Sequence, residues 1–410
     1  MQVPYFIAHK LAFSKYKSFS RFIIRLSIVA TALSVTAMIL TLAFVNGFQT
    51  AVAEKVYKFW GHIRVQPYEH VQQEDRPQPA DFAAIRKQLQ QTPGVAHVQG
   101  IATKACVATY QSQLEGIIFK GVDDTYKFTL TQSFLVAGKW PLIQADTAGY
   151  TKEVVMGEAL VKKMQLTLGK TVSLFFIDAY NNASTKRSVK LVGIYKTGIE
   201  EYDKTFVLGD INLINKVDNY VPGMVGGYEV IVNNATQIQA VNDSIYAALP
   251  SNWTSRTVPE IYPNIFDWLQ VQNVNRDVVF IIMGIVAFIN LITCLLILVL
   301  ERTKMVGLLK AVGASNWQIQ QVFIFYASFI AAIGIGIGVA VGSGIYWAQK
   351  LFSFIQLDEA AYYVNVAPVD IHIWEVAAIA LGTLIACFLC LLLPSVLVRK
   401  IVPVVALRFK

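Results

Sequence analysis

Four long runs without a single Asp, Glu, Lys or Arg limit what this chain can fold into: Leu26–Phe48, Val278–Leu300, Val322–Trp347 and Val376–Val398. Crossing a hydrocarbon core takes about 20 residues at helical rise, and each run is long enough. In a chain of 410 residues that is 55% hydrophobic and 15% charged, such runs specify a helical membrane protein with four spans. Between the first two runs lie more than 200 residues of ordinary polarity. That is enough for one or two domains with a core of their own.

Short flanks set the orientation, because long domains cross the membrane largely regardless of charge. Lys10, Lys15, Lys17, Arg21 and Arg25 precede the first run, and no acidic residue occurs before Glu54. Arg302, Lys304 and Lys310 follow the second run, and Arg399, Lys400, Arg408 and Lys410 follow the fourth. The connection between the third and fourth carries Asp358, Glu359 and Asp370 against Lys350 alone. The predicted division is therefore a cytoplasmic segment 1–25, helix 26–48, an outer α+β domain 49–275, helix 276–300, a cytoplasmic connection 301–318, helix 319–347, an outer loop 348–372, helix 373–398 and a cytoplasmic tail 399–410. The net charge of +8 resides in these basic belts, which favour anionic lipid headgroups. Basic stripes with interleaved aromatics are lacking, so nucleic acid is not an expected partner.

Ala51-Val52-Ala53 has the small-x-small form of a signal-peptidase site, but a secretory core of about 7–15 apolar residues is shorter than the first run. The first run is read as a retained span. Leu168-Gly169-Lys170-Thr171 resembles the end of a phosphate-binding loop, yet Met164 stands where that loop demands glycine. The four cysteines are Cys106 in the outer region and Cys294, Cys387 and Cys390 inside runs. No disulfide can staple the outer domain within one chain. His9, His62, His70, His97 and His372 show no metal spacing. The chain is thus expected to be non-catalytic, with no cofactor and no metal. Runs free of mid-depth charge also argue against an ion-coupled carrier.

The connection Glu301–Ser315 carries most functional information, being a short charged segment pinned between two spans. It has helical spacing, with Met305, Leu308, Leu309 and Val312 on one side, and is too short to fold alone. A transport permease offers such a segment to a separate ATPase; a plain loop obeying the positive-inside bias is the other reading. Gly334, Gly338 and Gly342 recur every four residues in the third run, which lets helices approach closely, within the chain or across a dimer.

In the outer region, strands are expected near Val95–Gly100, Ala105–Tyr110, Gly116–Gly121, Val172–Ile177, Val189–Tyr195, Thr205–Leu208 and Tyr228–Val232. Helices are expected over Asp81–Leu89, stopped by Pro93-Gly94, over Glu158–Leu166 and over Ile238–Leu249. Two lobes are predicted, one from residues near 60–125 with 225–258, the other from 126–224. Asp178–Ser188 reads as a polar hairpin tip, with a solvated turn as its plain interpretation.

Glu301-Arg302 followed by Gly307–Ser315 resembles the coupling segment of FtsX-like permeases in mechanotransmission-type ABC transporters. Asn46-Gly47-Phe48, Gly193–Asp203, Tyr363–Val369 and Pro403–Arg408 are similar to the lipoprotein-releasing permeases of the LolC/LolE type. Met305 departs from that pattern, where Glu is frequent, and the hairpin is shorter than the family's carrier hook. The resemblance implies an ABC transporter permease of the bacterial inner membrane with a MacB-like periplasmic core domain. Implied partners are two ATPase subunits, a second permease, the lipoprotein substrate, a periplasmic carrier and membrane lipid. It also implies ATPase coupling through Glu301, Arg302, Lys304, Gly307, Lys310, Gly313 and Ala314. Carrier docking is implied for Tyr180, Lys186 and Arg187, and a substrate cavity for Leu33, Ala37, Leu40, Phe44, Asn46 and Phe48. A MacB-like efflux permease and an FtsX-like regulator of a cell-wall hydrolase are the alternatives.

Overall fold

The computed structural model describes residues 19–68, 79–143, 149–177, 184–220 and 224–395. Lys10, Lys15, Lys17, the hairpin tip with Tyr180, and the tail 399–410 lie outside the described residues. The chain divides into two compact units, a membrane unit (residues up to 50, 268–356 and from 366) and an outer unit (51–267 and 357–365).

The long helices are α1 (Phe19–Trp60), α2 (Pro263–Glu301), the short α3 (Thr303–Ala311), α4 (Asn316–Phe352) and α5 (Ile373–Ser395). Among the described residues three of them, α1, α2 and α4, are long and apolar enough to cross a membrane, rather than the four expected. Residues Ile373–Leu389 of α5 form a shorter apolar helix. With 42, 39 and 37 residues, the three long helices reach roughly 55–63 Å, about twice the hydrocarbon core. Residues 49–60 and 263–275, assigned from sequence to the outer domain, are helical extensions of α1 and α2. Charge marks where hydrocarbon ends; backbone hydrogen bonding continues past it.

The glycine stripe of α4 is spent within the chain. A Cβ at Gly334 would lie 2.8 Å from Thr31 Cβ, and one at Gly338 would lie 2.7 Å from Ala32 O and 2.8 Å from Val35 Cβ. Thr36 Oγ1 then donates to Gly338 O at 3.1 Å. Neither Gly336 nor Gly344 faces a neighbour. At the outer end of α1, a Cβ on Gly47 would lie 2.6 Å from Pro368 O. Asp370 N donates to Ala43 O at 2.9 Å, so Gly47 is required by the close approach of the segment after α4.

The outer unit is α+β and carries one ten-stranded sheet. Its strands are β1 (Ile63–Pro67), β2 (Val95–Tyr110), β3 (Gln113–Val122), β4 (Leu135–Gly138), β5 (Glu153–Gly157), β6 (Thr171–Ile177), β7 (Ser184–Tyr195), β8 (Phe206–Asp210), β9 (Gly227–Val232) and β10 (Trp253–Thr257). They run β10-β1-β9-β2-β3-β8-β5-β7-β4, with β6 bridging β2 and β7. The β3–β8 and β5–β7 pairs are parallel and the others antiparallel. The two expected lobes are therefore not separate bodies, since β3–β8 and β2–β6 pairing joins their strands. A single buried cluster runs from Ile63 and Val98 to Val154 and Leu191. Helices Pro79–Gln91 and Ile238–Ala248 cover it with Phe82, Ile85, Leu89, Val241 and Ile245.

His62, which follows the left-handed turn at Gly61 (φ +72°), carries a pH dependence. Its ring stacks on Tyr57 at 4.6 Å, and its Nδ1 accepts from Val232 N at 3.4 Å. Burial lowers its pKa to about 4. The unfolded chain then binds more protons than the fold between pH 6.5 and 4, so stability is full above that window and falls as pH drops through it. Acidification from pH 7 to 5 is expected to cost about 2 kcal/mol, read by unfolding of the full chain at each pH. A His62→Gln chain should lose this slope; an unchanged slope would contradict it.

Candidate functional site

The connection between α2 and α4 is built almost without loop. Arg302 is the N-cap of α3, and Val306 N donates to Arg302 O at 3.0 Å. Val306 is fully buried, in a cluster with Leu298, Ile319, Val322 and Phe323, and Met305, Leu309 and Ala314 pack at its edge. Leu308 and Val312 face the other way, 59% and 82% exposed. The four apolar residues expected on one side are thus split between an inner and an outer face. Gly307 is buried, which removes it from any outward contact. Glu301, Lys304 and Gly313 are exposed, and Arg302, Lys310 and Ala314 half-buried. Leu308, Val312 and the 52%-exposed Trp317 are thus the large apolar side chains that this connection exposes, among charged residues of the same segment.

Gly313 ends α3 with φ +94°. Ala314 N donates to Leu309 O at 2.9 Å and Gly313 N to Lys310 O at 3.1 Å, which is the paired bonding of a Schellman cap. Glycine adopts this φ at no steric cost, and among the other residues Asn bears the left-handed region best. A Cβ there would meet no atom within 4 Å, so backbone conformation, and not crowding, demands the glycine. Two residues later Ser315 opens α4 with a capping box: its Oγ accepts from Gln318 N at 3.2 Å, and Gln318 Oε1 accepts from Ser315 N at 2.9 Å. The Ser315-x-x-Gln318 spacing was available as a sequence signal for this sharp reversal.

Of the expected tip Asp178–Ser188, residues Ser184–Ser188 belong to β7, which begins at Ser184 paired with Ile177; residues 178–183 lie outside the described residues. Lys186 and Arg187 belong to the strand, opposite Phe175 and Leu174, and alternation sends them to opposite faces. The Lys186 ammonium sits 5.7 Å from the Phe175 ring centroid.

Of the residues expected to line a cavity, Leu33 is 64% exposed, and Ala37, Leu40 and Phe44 are half-buried at helical spacing along the same face. Asn46 instead donates to Glu375 Oε1 at 3.0 Å. Phe48 is buried against Trp268, ring centroids 5.3 Å apart. The structure thus keeps four of the six on an open apolar face and turns Asn46 and Phe48 to packing.

Gly193–Asp203 also acquires a physical role. Asp203 accepts from Thr197 N and Oγ1, both at 2.8 Å, and from Gly198 N at 3.1 Å. Tyr195 OH donates to Phe206 O at 2.9 Å. Lys196 and Lys55 flank the Glu359 carboxylate, which fastens the segment 357–365 to the outer unit. Burial raises the Asp203 pKa, opposed by these backbone and hydroxyl donors. Sequence reasoning missed this clasp, whose partners are more than 150 residues apart. Among the described residues no group of His, Cys, Asp and Glu is placed to hold a metal.

The MacB-like periplasmic core domain family matches residues 26–252, and the FtsX-like permease C-terminal family matches residues 278–403. A Neisseria meningitidis protein described as the lipoprotein-releasing system transmembrane protein LolC is 22% identical, covering 97% of this chain and 96% of its own. The corresponding LolE of Haemophilus influenzae is 20% identical over 98% of each chain. Among solved structures, the periplasmic region of MacB from Actinobacillus actinomycetemcomitans covers 50% of this chain and 91% of its own, at 14% identity and a TM-score of 0.34.

Proposed function

The chain belongs to the MacB-like periplasmic core domain family, and from that premise we propose that it is the permease subunit of an ABC transporter that releases lipoproteins from the membrane. The observation that carries this reading is likeness to lipoprotein-releasing permeases of both the LolC and the LolE kind along nearly the whole chain. A likeness confined to the outer unit would fit the efflux and regulatory readings equally well; this one is not confined.

In this reading the membrane is the bacterial inner membrane, and α5, with the residues that follow it, makes a fourth crossing. A separate ATPase, in two copies, grips Leu308, Val312 and Trp317, with Glu301, Arg302, Lys304 and Lys310 fixing register. A second permease faces the open side of α1, where Leu33, Ala37, Leu40 and Phe44 offer acyl chains an apolar wall. No polar path is needed, because cargo enters from the outer leaflet and leaves to a soluble carrier. The carrier is required because exposing an acyl chain to water costs about 0.8 kcal/mol per methylene.

Topology tests the frame. Single cysteines at Ser315 and Ser184, in a chain otherwise free of cysteine, are expected to label from opposite sides, Ser184 in intact spheroplasts and Ser315 only after lysis. Labelling of both from one side would remove the architecture. Purification of the detergent-solubilised complex tests the assignment: an ABC ATPase should accompany the chain, and a cell-wall hydrolase in its place would favour the regulatory reading.

The hairpin is the proposed carrier contact. Photo-crosslinkers at Tyr180 or Lys186 are expected to capture a periplasmic carrier, and deletion of residues 178–183 to stop release while ATP hydrolysis continues. Normal release after the deletion would return the hairpin to a solvated turn.

A further inference from the structure

Within the membrane unit, α1, α2 and α5 enclose an apolar groove of about 620 Å³. Phe280 and Phe288 of α2, Ile379 of α5, and Met38 and Leu42 of α1 form its walls. None of the six residues expected for a cavity on α1 lines it. Gly284 and Gly382 do, from facing helices, and a Cβ on either meets no atom within 4 Å. The groove therefore owes depth to two missing side chains.

One end of the groove is charged. Arg276, Asp277 and Glu375 gather there beside Trp374, a residue type suited to the boundary between hydrocarbon and headgroups. Arg276 Nη2 lies 2.8 Å from Asp277 Oδ1, and its Nη1 donates to Asn273 Oδ1 at 3.2 Å. The Glu375 carboxylate accepts from Asn46 Nδ2 at 3.0 Å and from His372 N at 2.8 Å. Asp277 remains 62% exposed. The mouth thus presents the Arg276 guanidinium and the Asp277 carboxylate, with the Glu375 carboxylate (14% exposed) set deeper and the His372 ring 3.7 Å from its Oε2.

We propose that this groove binds one membrane phospholipid with a zwitterionic, primary-amine headgroup, one acyl chain lying between α2 and α5. Arg276 meets the phosphate, and Asp277 with Glu375 meets the ammonium. A headgroup bearing only negative charge is disfavoured, because it gains one guanidinium and confronts two carboxylates. The site rests on the reading of these helices as membrane spans, which the cysteine labelling tests separately. A failure of lipid binding with correct topology would therefore sink this inference alone.

The full chain, purified in mild detergent after exposure to vesicles of phosphatidylethanolamine and phosphatidylglycerol in equal parts, is examined by native mass spectrometry. The expected result is one phosphatidylethanolamine retained per chain in preference to phosphatidylglycerol. Gly284→Leu with Gly382→Leu puts side chains into the groove, starting from Cβ positions that meet no atom within 4 Å, and should remove that lipid. Loss of a charge-assisted hydrogen bond is worth roughly tenfold in affinity, so Asp277→Asn should cut the headgroup preference by about that factor. Equal retention of the two lipids, an unchanged lipid in the filled variant, or an acylated peptide in the lipid's place would each overturn the proposal. Should the filled variant not fold, the exposed Asp277→Asn substitution decides: an unaltered preference overturns it.

Discussion

A Gly313→Val chain is expected to assemble with its ATPase and to permit ATP hydrolysis while coupled release falls about 5- to 30-fold. The figure follows from the cap: a β-branched residue held at φ +94° costs about 1–2 kcal/mol, and that energy shifts the population of the correct cap by such a factor. Uncapped, Leu309 O and Lys310 O lose their partners Ala314 N and Gly313 N, and α3 no longer delivers Ser315 to the capping box of α4. Leu308 and Val312 then leave the place where a partner would meet them. Gly313→Asn discriminates between causes, because Asn tolerates the left-handed region. Release close to that of the unsubstituted chain is expected for Asn. Equal losses for Asn and Val would show that the side chain, and not the backbone, is at fault; no loss for Val would remove this turn from coupling.

Lys120→Met should be the most destabilising single change in the outer unit. The Lys120 ammonium and Glu229 carboxylate are fully buried at 2.7 Å. Lys120 also donates to Phe59 O, and its ammonium lies 4.8, 4.3 and 5.5 Å from the rings of Phe59, Trp60 and Tyr126. Gln99 Nε2 donates to the second Glu229 oxygen at 2.8 Å. Burial lowers the Lys120 pKa to about 8, with Glu229 opposing the shift, so the ammonium persists at neutral pH. Removing one partner of a buried pair leaves a charge without compensation and costs about 3–5 kcal/mol. Unfolding of the full chain in detergent reads the loss. A double Lys120→Met, Glu229→Leu chain is expected to regain much of it, because well-packed apolar replacements of buried pairs are often neutral. A single substitution without effect would mean that the pair contributes nothing.

What the sequence disclosed follows from which forces act locally. The uncharged runs were legible because hydrocarbon forbids charge over a fixed length, and the strands around Phe119, Leu174 and Val230 because β-branched and aromatic residues cluster there. Strands β1, β4, β5 and β10 were missed, being four or five residues each with little local pattern; what fixes them is pairing with distant strands. Lys120 lies in the expected strand Gly116–Gly121, and nothing in its local sequence marks it as buried. Phe59 and Trp60 cover it from the end of α1, which no local pattern announces. Gly313 was expected as one residue of the coupling segment; its left-handed φ is shown by the bonds around it. The glycines of α4 indicated tight packing without naming the partner, because spacing on one helix is silent about what lies against it.

Lipoprotein release by this permease is read from the transfer of a radiolabelled acylated protein out of proteoliposomes. The chain is reconstituted with its co-purified permease and ATPase, and ATP and a soluble carrier are supplied outside. Label is expected to move into the soluble fraction only when ATP and carrier are both present. Label that stays in the membrane while the intact complex hydrolyses ATP would contradict that expectation.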